Sequence, residues 1–113
     1  MTKPAEISAQ PVVRDRWGGW THPDFFSPSD SREFPRPGEF EAWLAEHHLQ
    51  SATVWMENDV PDWMMDTFWK TGNCSLWQPS EPAGSGWFTG SIHDTDDGAV
   101  CIWLRRREED VAS

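Results

Sequence analysis

Ser91, His93 and Asp94 lie close together in the chain and carry the side-chain types of a serine-hydrolase triad. On a strand, Ser91 and His93 share one face and Asp94 points to the other, so Asp94 cannot orient His93 from its own strand. No Gly-x-Ser-x-Gly elbow and no oxyanion motif accompanies them. The neighbouring Asp94-x-Asp96-x-Gly98 has the opening of a calcium loop, but it lacks the third acidic ligand and the bidentate Glu that close such a loop. Asp-rich hairpin turns also arise for backbone reasons alone. His93, Asp94 and Asp96 are thus metal candidates by residue type only. His47 and His48 are adjacent, about 100° apart on a helix, and cannot chelate as an i, i+4 pair. No catalytic residue, metal or cofactor is expected from these patterns. A small metal-dependent hydrolase built on His93 and the 94–97 turn is the minor alternative.

The tryptophans offer a different chemistry. The chain has 113 residues with nine Trp, six Phe and no Tyr. Trp anchors protein interfaces and stacks on planar ligands, but a small domain also fills its core with large side chains. Trp43, Trp55, Trp63 and Trp103 sit at periodic positions and read as core. Trp17, Trp20, Trp69, Trp77 and Trp87 fall off-pattern or in loops, and one or two exposed members of this set would be interface residues.

Charge narrows the partner. The chain has 19 acidic residues against nine Lys and Arg, a net charge of −10. Such a chain is repelled by phosphate, so direct binding of nucleic acid is not expected. Acids concentrate between Glu33 and Asp66, where Arg36 is the only Lys or Arg, while Arg105-Arg106-Arg107 stands apart. Glu39, Glu46, Asp62 and Asp66 are the acidic interface candidates. The longest apolar run, Ala99–Leu104, is far short of the roughly 20 residues a membrane span needs. The polar Met1–Gln10 stretch does not read as a signal peptide. With no export signal, Cys74 and Cys101 read as reduced cytoplasmic thiols, Cys101 buried and Cys74 in an exposed loop.

These residues need a scaffold. Residues 1–13 read as a flexible arm, 14–107 as one globular domain and 108–113 as a flexible acidic end. Gly18, Gly19 and Pro23 forbid a helix in the aromatic stretch 17–26, which reads as extended and partly β. Residues 27–38 read as loop. Phe40, Trp43, Leu44 and His47 mark one face of a helix within 37–50. Residues 51–57 read as a strand. Asp59 reads as the N-cap of a second helix, with Val60, Trp63, Met64, Thr67 and Phe68 on its buried face and Gly72 at its end. Ser75–Ser85 reads as loop, anchored by Leu76 and Trp77. Residues 86–94 and 99–106 read as a hairpin closed by the three-residue loop Asp96-Asp97-Gly98. Pairing Thr95 with Ala99 would put Phe88, Ile92, Val100, Ile102 and Leu104 on one face. The expected fold is α+β: a small antiparallel sheet of about three strands, chain order extended-α-β-α-β-β, with both helices on one face and the 17–26 segment over the other.

The run Gly86-Trp87-Phe88-Thr89-Gly90-Ser91-Ile92-His93-Asp94-Thr95-Asp96-Asp97-Gly98-Ala99-Val100-Cys101-Ile102-Trp103 resembles the C-terminal region of the ead-like early-region proteins, small accessory proteins of lambdoid phages and enterobacterial prophages. Trp17–Phe26 is similar to segments of small prophage proteins. The likeness covers the hairpin well and the middle of the chain poorly. The long N-terminal helical portion of larger family members is not seen, so the resemblance implies a short, single-domain version. It also implies an accessory product acting in the bacterial cytoplasm on a host protein, and it carries over no catalytic residue. Charge, Trp content and resemblance together predict an acidic interaction module. The alternative within that class is a DNA mimic that blocks a host nucleic-acid-binding or defence protein.

Overall fold

In the computed structural model, which describes residues 7–26 and 38–107, the C-terminal hairpin forms the centre of the fold. Strands β3 (Phe88–Thr95) and β4 (Gly98–Arg106) run antiparallel, and β2 (Leu49–Trp55) pairs along the far side of β4. A two-residue strand β1 (Trp20–Thr21) pairs with the outer edge of β3. The sheet is four-stranded and antiparallel, in the order β1-β3-β4-β2. With helices α1 (Glu39–Glu46) and α2 (Asp62–Thr71) this is the expected α+β class, one strand larger because the 17–26 segment enters the sheet. The predicted loop 27–38 up to residue 37, the acidic end 108–113 and the first six residues of the predicted arm lie outside the described residues.

The hairpin register differs from the sequence expectation. Thr95 pairs with Gly98 and Asp94 with Ala99. Gly98 keeps the positive φ the turn demands, +123°, but joins the ladder instead of staying in the loop. Ile92 therefore faces Cys101, not Val100 or Ile102. A bulge between Thr89 and Ser91 then shifts the register back, so that Phe88 faces Leu104. Gly90 occupies the bulge, where a Cβ would come within 2.9 Å of Leu104 Cδ1. The single apolar face is thus split, with Ile92 on one side of the sheet and Phe88, Val100, Ile102 and Leu104 on the other.

Two cores follow from that split. Met56, Met65, Phe68, Cys74, Trp77, Ile92, Ala99 and Cys101 form the first, and Ile7, Leu44, Leu49 and Leu104 the second. Ala99 and Cys101 differ in parity from Leu104, so the cores lie on opposite faces of β4. Helix α2 supplies Met65 and Phe68 to one, and α1 supplies Leu44 to the other. The expectation of both helices on one face is corrected to one helix per face. The 14–26 segment wraps the sheet edge between the layers. Phe25 packs on the second core, and His22, 2% exposed, lies between Trp20 and Phe88.

Other boundaries moved for identifiable reasons. Ile7 is 4% exposed and the Ser8 carbonyl lies 2.6 Å from His22 Nε2, so the predicted arm is pinned to the domain at these two residues. Helix α1 has the predicted Phe40, Trp43 and Leu44 face but ends at Glu46, and His48 takes a left-handed φ of 56° before β2 begins. Helix α2 starts at Asp62 with Pro61 at its N-cap, not Asp59. Its buried residues are Met65 and Phe68, which turns Trp63 out to 59% exposure. Cys74 is buried, not exposed, because the loop after α2 folds back over the first core.

Candidate interaction cleft

The turn Arg14 to Gly19 brings Asp15, Trp17 and Gly19 to one wall of a cleft at the outer edge of β3. The Asp15 carboxylate accepts the amides of Trp17 and Gly19, each at 2.9 Å, and closes a tight turn. Those backbone donors, Gly19 first and Trp17 next, hold Asp15 below its usual carboxylate range. Arg14 fastens the turn to the loop after α2. Its guanidinium donates to the carbonyls of Gly18 at 2.8 Å, Cys74 at 2.9 Å and Trp77. The Cys74 amide answers by donating to the Trp17 carbonyl at 2.9 Å, and Asn73 Nδ2 donates to the Arg16 carbonyl at 2.8 Å. Backbone meets backbone so closely that a Cβ on Gly18 would lie 2.5 Å from the Ser75 nitrogen.

This fastening uses the Trp17 main chain and leaves its indole half exposed. The Arg16 guanidinium stacks on the ring, 5.3 Å from its centroid. The cleft, of about 320 Å3, lies between Trp17 and Trp20 on one side and Ile92, His93 and Asp94 on the other, with Asp15 and Cys74 also in its lining. Strand β1 covers β3 only at Ser91 and Ile92. Among the described residues no strand lies along the outer edge of His93–Thr95.

Ser91 and His93 are brought together, but not as a nucleophile and base facing a substrate. Ser91 Oγ lies 2.9 Å from His93 Nδ1 and 3.0 Å from Thr21 Oγ1. Ser91 is only 2% exposed, so its hydroxyl ties β1 to β3. Burial pushes the His93 pKa down, against the pull of Asp94, which favours the neutral imidazole. Asp94 is exposed and points to the other side of the strand, so the three triad types do not converge. Among the described residues no group of three or more His, Cys, Asp or Glu side chains is placed to hold a metal ion, His93, Asp94 and Asp96 included.

The remaining candidates separate. Trp69, 56% exposed, lies on the hairpin turn, its ring 3.7 Å from where a Cβ on Gly98 would stand. Trp17, in one cleft with Asp94, and Trp69, against Gly98, thus both stand at the hairpin end of the sheet. Trp77 leaves the interface set: it is 1% exposed, and its Nε1 donates to Asp59 Oδ2 at 2.8 Å. The loop turns inward there, Trp77 N donating to the Cys74 carbonyl, and delivers the ring to the first core, whereas its neighbour Leu76 is exposed. Trp87 is half-buried at the opposite end of β3, under the Arg105 guanidinium at 4.4 Å, with Nε1 donating to the Ala83 carbonyl. Glu46, Asp62 and Asp66 are exposed and Glu39 is half-buried. Because α1 and α2 cover opposite faces of the sheet, Glu39 and Glu46 share no surface with Asp62 and Asp66. The Arg105–Arg107 run lies at the end of β4 remote from the acidic tip, about 30 Å away along an extended strand.

Asp15 and Arg14 escaped the sequence reading. The signal for Asp15 is the pattern Asp-x-Trp-Gly-Gly, in which a short carboxylate caps the amides that follow. Arg14 has no comparable signal, because its acceptors lie some 60 positions away, at Cys74 and Trp77. Compared with known proteins, the chain matches no family model, and neither a curated protein nor a solved structure is significantly similar to it. Among the described residues no helix is long and apolar enough to cross a membrane.

Proposed function

We propose that the chain is an interaction module that holds a basic segment of a partner protein at the hairpin end of its sheet. One observation carries this reading: two exposed indoles lie at the hairpin end of the sheet, Trp17 in one cleft with Asp94 and Trp69 against Gly98, where the acidic turn Asp94–Asp97 also stands. Trp is among the side chains most enriched at the energetic anchors of interfaces, and the carboxylates of the hairpin end select against acidic partners. The net charge of −10 extends that preference to long range, while the three arginines stand at the other end. The resemblance of residues 86–103 to ead-like phage accessory proteins supports a host protein of the bacterial cytoplasm as the partner.

A photo-crosslinking residue at Asp96, with a control at the exposed Ala42 on α1, tests this reading in bacterial lysate. A saturable adduct formed from position 96, absent from position 42 and suppressed by an arginine-rich peptide supports the module. No position-96 adduct contradicts it. The DNA-mimic reading adds that duplex DNA displaces the partner and that salt weakens the complex steeply. Among the described residues the α1 and α2 acids lie on opposite faces of the sheet and do not join into one surface, which favours the module over that narrower reading.

A further inference from the structure

The cleft between Trp17 and Trp20 is too small for a peptide segment and large enough for the end of one side chain. Its volume of about 320 Å3 is near the lower limit of ligand pockets. We infer that this cleft takes a single guanidinium or ammonium group from the basic segment, an inference that rests on the interaction reading above and names the group it recognises. An indole face attracts a cation through its quadrupole, Trp more strongly than any other ring. The Arg16 guanidinium already stacks on Trp17, so the ring accepts this geometry within the protein itself. Asp15 and Asp94 stand in the same lining and supply the counter-charge. The other basic group at this turn, Arg14, is not in the lining and directs its guanidinium to three main-chain carbonyls. His93 also lines the cleft, but its imidazole is tied to the buried Ser91 hydroxyl, and burial pushes its pKa down, which favours the uncharged form. The main chains that carry the two indoles are held in place, Trp20 by its pairing with Ile92 and Trp17 by the bond from the Cys74 amide.

Isothermal titration of the full chain with the peptide acetyl-Gly-Arg-Gly-Arg-Gly-amide, and with its Glu counterpart, tests this. Trp17→Ala removes only an exposed indole and Asp94→Asn only an exposed charge, so both fold, which amide NMR spectra check. The expected result is binding of the Arg peptide and not of the Glu peptide. Trp17→Ala weakens it about tenfold, Asp94→Asn about threefold, and Trp63→Ala on the outer face of α2 leaves it unchanged. Unaltered affinity in both Trp17→Ala and Asp94→Asn overturns the cation site. A loss confined to Trp69→Ala overturns it too, but leaves the hairpin-end module standing. No binding by the unmodified chain also overturns the cation site, and the position-96 crosslink then decides the module independently.

Discussion

Trp77 Nε1 donates to Asp59 Oδ2 across 2.8 Å, joining the most buried indole of the first core to a carboxylate just before α2. Ser80 adds its amide at 2.9 Å and its hydroxyl at 2.6 Å to the same carboxylate. Asp59→Ala leaves the buried indole N–H without its acceptor and frees the 77–80 loop. The expected cost is about 2–3 kcal/mol in urea denaturation, while Asp62→Ala, one turn on and exposed, changes stability little.

The same carboxylate gives the fold an acid dependence. Partial burial pushes the Asp59 pKa up, but the Ser80 and Trp77 hydrogen bonds outweigh it and set the value below the usual one. A depressed folded pKa stabilises the protein above the unfolded value of about 3.9. That contribution disappears as pH falls through the still lower folded value. Thermal melting between pH 7 and pH 2 should show a loss at the acid end that Asp59→Asn lessens.

Gly18 separates conformational from contact effects. Its φ of +92° disfavours any side chain, and a Cβ would meet the Cys74 and Ser75 backbone at 2.5–2.8 Å. The conformational part alone is worth about 1–3 kcal/mol, and the collision adds to it because backbone cannot rotate away. Gly19→Ala has ordinary φ, and its nearest approach is 3.3 Å to the Ile92 carbonyl. Chemical denaturation should show Gly18→Ala markedly destabilised and Gly19→Ala much less.

Arg14→Lys keeps the charge and loses the fork. An ammonium on one stem cannot reach the Gly18, Cys74 and Trp77 carbonyls in the arrangement the planar guanidinium serves. Hydrogen exchange at the Cys74 amide, which donates to Trp17, should accelerate in this variant. Exchange at the β2–β4 ladder should not.

Both thiols should be inert in the folded protein. Burial pushes Cys101 up to about 12 and raises Cys74 as well, against the opposing effect of Arg14. Iodoacetamide at about pH 8 reacts only with thiolate, so labelling should be negligible until urea is added and should then reach both residues.

Much of this scaffold was legible in the sequence, because local patterns and the fold agree there. The Phe40-Trp43-Leu44 face of α1, the Gly72 end of α2 and the hairpin with its Asp-Asp-Gly turn are set within a few residues of one another. What escaped depends on distant groups. The hairpin register turns on Gly98 joining the ladder and on Gly90 lying against Leu104, and neither follows from alternation alone. Trp63 and Trp77 exchanged places between core and surface because α2 begins at Asp62 and the loop after it folds inward onto Asp59. The cleft was half legible: Trp17, Trp20, His93 and Asp94 drew attention by type, but Arg14, which fastens the turn that gathers them, gave no local sign.

The indole N–H signals of the nine tryptophans provide the most direct measurement. Titrating the isotope-labelled chain with the arginine-containing peptide and following these signals locates the bound cation. The account predicts shifts at Trp17 and Trp20, a smaller one at Trp69, and none at Trp77, Trp87 or Trp103. Acidification far enough to protonate His93, whose pKa burial pushes down against the pull of Asp94, should diminish the shifts at Trp17 and Trp20. Shifts centred on Trp87, or uniform shifts across all signals, would contradict it.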